Sequence, residues 1–172
     1  MADDSVCDGP IPSGTAYKGD DTMRQLIIAR KDLHMSPGKL AAQVAHASWA
    51  FLSNKIRESE HSVAINASEG AYYEVHLPVQ VNVYEDWFCG IFTKTICEAK
   101  NLNQLLKAKT IAEELGMKEG EDFFLIWDAC LTELKPEKYD EDGTGRTLTC
   151  IGFKPLDDET AWKISKKFQL YK

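Results

Sequence analysis

The sequence lacks the long apolar run of a membrane-spanning chain and the basic, then apolar start of a secreted one. No stretch approaches the ~18 consecutive apolar residues that a membrane helix needs, and the chain opens on the acidic segment MADDSVCDGP. Its five cysteines are odd in number, widely spaced and without a Cys-x-x-Cys pair, so the sequence predicts no disulfide framework and no zinc site. We expect a cytoplasmic protein that binds neither membrane nor metal.

The common signatures of nucleotide-binding and hydrolytic sites are also missing: the sequence has no Walker A loop, GxGxxG, HExxH or GxSxG. It has no internal repeat and no low-complexity tract. The 172 residues are 44% hydrophobic and 27% charged, which is typical of one compact domain. The formal net charge is −7, so a nucleic-acid partner would need a local basic patch, such as the six bases against one acid in residues 23–57.

Two segments differ in composition from the rest of the chain. Residues 1–22 hold five acids, one base and no hydrophobic period, which predicts a flexible acidic tail before a domain at 23–172. Residues 59–88 are long for a loop inside a compact domain. Apolar residues at every second position from Val75 to Val83, interrupted by Pro78, indicate an extra edge strand or a short hairpin there.

Hydrophobic periodicity predicts four strands, at 23–30, 90–97, 123–127 and 147–152. Three helices are predicted from their end signals, one after Ser36-Pro37, one from Asn101 to Gly116, and one opened by the acidic run 157–159. The order β-α-β-α-β-β-α predicts an α/β fold in which the first three strands pair in parallel and helices lie on the faces of the sheet.

Three polar side chains of the first predicted helix share one stripe. At 100° per residue Lys39, Gln43 and His46 fall at about 0°, 40° and −20°, beside an apolar stripe centred at about 110°. A polar stripe at the border of the core can line a cleft beside the sheet, and a lysine in the first helical turn favours a nearby anion. The alternative is that the three residues form no site and are a solvated lysine, a surface glutamine and a histidine hydrogen-bonded at the core edge.

Asp128 directly follows the apolar run FFLIW and is expected at the carboxyl end of that strand, where open α/β sheets bind their ligands. A carboxylate there can act as a general base or orient water. The alternative is that Asp128 only begins a turn. Cys130 and His46 are a further candidate pair, a thiol nucleophile and its base.

The segment LIIARKDLHMSPGKLAAQVAHASWA resembles the opening strand and helix of the type II peptidyl-tRNA hydrolases. That family has an apolar strand, a basic residue before Asp-Leu, and then the pattern GKxAAQxxHA. Further along, WDACLTEL is similar to the family's RDAGxTQ-like turn, TLTCIGFKP to its final strand and Gly-x-x-Pro turn, and WKISKKFQLYK to its terminal helix and tail. The resemblance covers residues 23–172 apart from the segment 59–88.

The resemblance implies a single three-layer α/β/α domain with a four-stranded mixed, mostly parallel sheet, usually as a homodimer. The implied activity is hydrolysis of the ester between a peptide, or an N-blocked amino acid, and tRNA, with peptidyl-tRNA as substrate and no metal or organic cofactor. The implied catalytic residues are Lys39, Asp128 and Thr132. The implied substrate-binding residues are Gln43, His46 and Thr147. These types suit the chemistry, because ester hydrolysis needs a group that orients water and a donor that stabilises the oxyanion.

Four residues around Asp128 depart from the family pattern. Trp127 takes the place of an arginine and Cys130 that of a glycine, while Leu131 and Glu133 lie in the Thr-Gln-like stretch. The following loop, KPEKYDEDGTGR, is longer and more acidic than a short Pro-Gly turn. These differences indicate a divergent member, and they leave open an alternative function as a non-catalytic tRNA-binding or protein-interaction module on the same fold.

Overall fold

The structure is a computed structural model that describes residues 22–60, 62–67 and 70–172. The predicted acidic tail at 1–22 therefore lies, apart from Thr22, outside the described residues. The helices are α1 Pro37–Arg57, α2 Leu102–Glu114 and α3 Asp158–Ser165. The strands are β1 Met23–Arg30, β2 Ser62–Ala67, β3 Gly70–Val75, β4 Lys94–Ala99, β5 Phe123–Asp128, β6 Lys138–Tyr139, β7 Gly145–Asp157 and β8 Gln169–Leu170. A π-helical segment, Val83–Ile91, precedes β4.

The main sheet has the strand order β5-β7-β1-β4-β8, and β6 pairs with the first residues of β7. Strands β1 and β4 pair in parallel. Strand β7 runs antiparallel to both of its neighbours, β1 and β5. The predicted parallel pairing of the first three main strands is therefore confirmed for β1 and β4 and wrong for β5, because β7 lies between β1 and β5 and pairs antiparallel with both. Among the described strands, β1-β4 is the one parallel pair. Strand order depends on contacts between distant segments, which local periodicity does not report.

Alternate residues of β1 point to opposite faces of the sheet, and helices cover both faces. Leu26 and Ile28 pack in one core with residues of α2 and α3, among them Leu105 and Ile164. Ile27 and Ala29 pack on the other face with Ala47 of α1. This arrangement confirms the three-layer α/β/α fold, and the short strands β6 and β8 raise the strand number of the mixed sheet from the expected four to six.

The predicted helix ends are confirmed at both of the first two α-helices. The Ser36 side chain accepts a hydrogen bond from the backbone N–H of Lys39, and Pro37 takes the first helical position of α1. Asn101 caps α2 in the same way. Gly116, just beyond α2, has a φ of 82°, the left-handed conformation that ends many helices. Within the described part of the chain, no helix is long and apolar enough to cross a bilayer.

Helix α1 closely approaches β7 at Gly152. A Cβ at this position would lie 2.4 Å from the carbonyl oxygen of Ala47, so the close packing requires glycine. The expected Gly-x-x-Pro turn at 152–155 is wrong, because these residues lie inside β7. Pro155 lies opposite Gln25, next to a shift in register, and proline is tolerated at such irregular positions of a sheet.

The segment 59–88 contains an antiparallel hairpin, β2-β3. The hairpin does not use the predicted run of alternating apolar residues, however. Of that run only Val75 lies in a strand, and Val83 already opens the π-helical segment.

The second main strand begins at Lys94, so the prediction of a strand from residue 90 is wrong for its first four residues. Ile91 and Phe92 are exposed, while the earlier Trp87 packs in a small core on the α1 face with Phe51 of α1 and Met23 of β1. The indole N–H of Trp87 donates to the carbonyl oxygen of Thr93 at 3.0 Å. An apolar run before a strand can thus serve a helix face instead of the sheet.

Candidate active site

Asp128 ends β5 and faces the first turns of α1. Lys39 Nζ lies 2.6 Å from Asp128 Oδ2, and Gln43 Nε2 donates to the same oxygen at 2.8 Å. The other carboxylate oxygen, Oδ1, accepts from the backbone N–H of Cys130 at 2.9 Å. The side chains of Lys39 and Asp128 are 15% and 9% exposed, so the ion pair is largely withdrawn from solvent. Three donors hold the carboxylate at the carboxyl end of its strand, with Oδ1 keeping a lone pair for a further donor.

Thr132 joins this group through the same lysine. Lys39 Nζ donates to Thr132 Oγ1 at 3.1 Å. A lysine ammonium has three N–H donors, and no described residue accepts the third. Because the Thr132 hydroxyl accepts from Lys39, its own hydrogen remains available for another acceptor. The arrangement therefore places two unused donors beside a fixed carboxylate.

Burial differs among the three residues of the predicted polar stripe. Gln43, nearest to the apolar stripe, is only 3% exposed, Lys39 is half-buried, and His46 is exposed. Among the described residues, none hydrogen-bonds to His46. The structure thus brings Lys39 and Gln43 to Asp128 and leaves His46 outside that contact. A substrate-binding role for His46 stays a prediction.

Thr147 is fully buried opposite Asp128 in the β5-β7 register. Its hydroxyl donates to the carbonyl oxygen of Lys135 at 2.7 Å and accepts from the backbone N–H of Glu137 at 3.1 Å. Thr147 therefore lies at the predicted end of the sheet, where it anchors the loop that follows Asp128. Its contact with substrate stays a prediction.

Arg30 is one of the six bases of the basic segment 23–57, and it connects the loop that follows Asp128 to the sheet. Its buried guanidinium pairs with Glu137 at 2.5 Å and with Asp32 at 2.7 Å, and it donates to the carbonyl oxygen of Leu148 at 3.1 Å. Burial lowers the pKa of Arg30, but the hydrogen bonds and charges of Glu137 and Asp32 outweigh it and hold that pKa above its usual value. Nothing in the local pattern marks Arg30 as buried, because two of its three partners, Glu137 and Leu148, lie more than one hundred residues away.

The departures from the family pattern have structural counterparts. Cys130, in the place of glycine, has a φ of 55°, the left-handed region that glycine adopts most easily. Glu133 accepts from the backbone N–H of Ser36 at the start of α1, at 2.8 Å. Trp127, in the place of arginine, is 38% exposed, and Lys138 Nζ lies 3.8 Å from the centroid of its ring. The cation beside this end of β5 is thus a lysine of β6.

Across residues 22–60, 62–67 and 70–172, no three His, Cys, Asp or Glu side chains form a group that could hold a metal ion. A cavity of about 360 Å³ lies at the far end of α1, between Phe51, Lys55 and Asp122. None of the predicted site residues lines it.

The family model described as "Peptidyl-tRNA hydrolase PTH2" matches residues 23–171. The chain belongs to this family. The peptidyl-tRNA hydrolase of Methanopyrus kandleri is 33% identical over 143 residues, which cover 83% of this chain and 92% of that protein. The peptidyl-tRNA hydrolase of Thermococcus sibiricus is 31% identical over 151 residues, covering 86% and 96%. The one from Haloquadratum walsbyi is 30% identical over 149 residues, covering 87% and 100%. The predicted family is confirmed, and its match spans the whole site.

Proposed function

We propose that this chain hydrolyses the ester between a peptide, or an N-blocked amino acid, and tRNA, at the site formed by Lys39, Asp128 and Thr132. The observation that carries the proposal is the convergence of an ammonium, a hydroxyl and a carboxylate at one strand end, in a chain of this family. Relatives that cover most of the chain are named peptidyl-tRNA hydrolases, which supports both the enzymatic activity and peptidyl-tRNA as its substrate.

Each residue then has a distinct part in the reaction. Water attacks the ester carbonyl, the bond to the ribose oxygen breaks, and the proton that the water loses is returned to that leaving oxygen. Asp128 Oδ1 orients the attacking water through its remaining lone pair. The third N–H of Lys39 and the hydroxyl of Thr132 donate to the carbonyl oxygen as negative charge develops there. Gln43 acts indirectly, by fixing Asp128 Oδ2.

The direct test measures release of labelled N-acetyl-aminoacyl groups from tRNA by the wild-type chain. Release above the uncatalysed rate supports the proposal. Salt-dependent binding of tRNA without release would contradict it and favour the tRNA-binding module, since phosphate contacts weaken steeply as salt rises. Absence of both release and binding would favour the protein-interaction module.

The thiol alternative is separable in the same assay. The Cys130 thiol lies 3.4 Å from Thr147 Oγ1, and no described histidine hydrogen-bonds to it. We therefore expect release to survive Cys130→Ser. Loss of release in folded Cys130→Ser would support thiol chemistry in place of the Asp128 mechanism.

We further propose that the chain acts as a cytoplasmic homodimer and needs no metal. The family resemblance supports the dimer and the metal independence. Sedimentation velocity at micromolar concentration tests the dimer, with a monomer as the contradicting result. Release that persists after dialysis against EDTA tests metal independence, and release restored only by added divalent ions would contradict it.

A further inference from the structure

Thr149 is a buried threonine of β7 that neither the residue pattern nor the family resemblance singles out. Its Oγ1 lies 2.6 Å from Oε1 of Gln43, whose Nε2 donates to Asp128 Oδ2 at 2.8 Å. Thr149, Gln43 and Asp128 are 0%, 3% and 8% exposed. The three residues form a continuous buried chain of hydrogen bonds, called here the Thr149 relay, from the sheet to the site carboxylate.

The relay has a defined direction. A carboxamide accepts at its oxygen and donates at its nitrogen, so the two ends of Gln43 are not equivalent. A flipped Gln43 would place its oxygen against Asp128 Oδ2, and two acceptors repel each other at that distance. The Thr149 hydroxyl supplies the donor that Oε1 needs in the unflipped orientation. It also lies 3.1 Å from the carbonyl oxygen of Ile126, next to a shift in the β5-β7 register.

Removing the Thr149 hydroxyl would leave Gln43 Oε1 buried without its donor, which is costly for a polar atom. The carboxamide would then rotate to find another partner, and Asp128 would lose one of its three donors. Lys39 alone would remain on Oδ2. The carboxylate would consequently sample orientations that do not align the attacking water.

We propose that Thr149 is a positioning residue, whose hydroxyl holds the Gln43 carboxamide so that it donates to Asp128 and fixes the carboxylate for water attack. The consequence for catalysis rests on the proposed hydrolysis of peptidyl-tRNA. The orientation of Gln43 is a property of the protein alone, and it can be measured without substrate.

The chain offers a matched control on the same helix. Ser48 Oγ donates to Oε1 of the buried Gln25 at 2.8 Å, also between α1 and the sheet. The Gln25 nitrogen donates to the carbonyl oxygens of Ser48 and Phe153, at 2.9 and 3.0 Å, and to no carboxylate. Ser48→Ala therefore removes a similar hydroxyl–glutamine bond that does not lead to the site.

The kinetic test compares kcat and KM for N-acetyl-aminoacyl-tRNA in wild type, Thr149→Val, Thr149→Ser and Ser48→Ala at equal folded concentration. Valine keeps the shape and β-branching of threonine, so it isolates the hydroxyl. We expect Thr149→Val to lower kcat about tenfold with KM changed less than about twofold, serine to restore most of kcat, and Ser48→Ala to leave both near wild type. Equal losses in Thr149→Val and Ser48→Ala, or no rescue by serine, would overturn a positioning role.

The second readout is the side-chain amide resonance of Gln43 in ¹⁵N NMR spectra, assigned by its disappearance in Gln43→Leu. We expect Thr149→Val to shift or broaden this resonance, while Thr149→Ser and Ser48→Ala leave it close to its wild-type position. An unchanged Gln43 resonance in Thr149→Val would overturn the inference. If the wild-type chain releases no N-acetyl-aminoacyl group from tRNA, the proposed function fails. The NMR comparison then still decides whether Thr149 orients Gln43.

Discussion

The two halves of α1 meet the sheet in different ways. In residues 37–46, Lys39 and Gln43 reach Asp128 through charge and hydrogen bonds, and the contact ends at the protein surface. In residues 47–57, Phe51 packs against Trp87 and Met23 in an apolar core. The polar groups of the first half bind a carboxylate that substrate can approach, while the second half supplies packing that keeps the helix in place. The contacts to the candidate site and the apolar packing thus lie in different halves of one helix.

The largest effect on stability is expected from the apolar half. Trp87 is 1% exposed, and its ring packs on those of Phe51, Phe88 and Phe92. Trp87→Ala should lower the free energy of unfolding by about 3–5 kcal/mol, because it leaves a cavity. Thermal and denaturant unfolding measure this loss, and Trp87→Phe is the milder control. The folded variant should keep its kcat within a few-fold, and a collapse of kcat in fully folded protein would break the separation of the two halves.

The polar half should show the opposite pattern. Lys39→Met keeps the length of the side chain but removes the ammonium that pairs with Asp128 and Thr132, so kcat should fall about 10²-fold or more. Lys55→Met is the matched control, since Lys55 lies in the apolar half and its ammonium donates to the exposed backbone at Pro78. Steady-state release from N-acetyl-aminoacyl-tRNA separates the two variants. Wild-type kcat in Lys39→Met would remove the lysine from the mechanism.

A smaller effect on stability is expected at the turn after Asp128. Cys130 adopts a left-handed φ of 55°, which costs a residue with a Cβ about 1 kcal/mol. Cys130→Gly should therefore be about 1 kcal/mol more stable than Cys130→Ala, and both should keep most of their activity. Denaturant unfolding and the release assay provide the two values. Inactive but folded variants in both cases would point to the thiol as a reacting group.

The sequence predicts local features of this fold well. Ser36-Pro37 marks the start of α1, Asn101 and Gly116 mark the ends of α2, and the apolar run of β1 matches its observed limits. These features depend on neighbours within a few residues, whose effects can be read from the printed sequence.

Features that depend on distant segments could not be predicted. The insertion of β7 between β1 and β5 follows from pairing between strands far apart in the chain. Gly152 resembles part of a turn, yet it is required by the approach of Ala47. Thr149 and Arg30 carry no local signal, because each depends on one partner more than one hundred residues away, Gln43 for Thr149 and Glu137 for Arg30. The candidate site was found because a family motif marks both of its segments.

The proposed mechanism depends most on Asp128, the group that directs water at the ester. The most direct measurement compares release of N-acetyl-aminoacyl groups from tRNA by wild type and Asp128→Asn at equal folded concentration. Asparagine keeps the size of the side chain and an acceptor for the Cys130 N–H, but it removes the charge. We predict release by wild type and a loss of at least about 10²-fold in the variant. Release at the wild-type rate by folded Asp128→Asn would contradict this role of the Asp128 carboxylate.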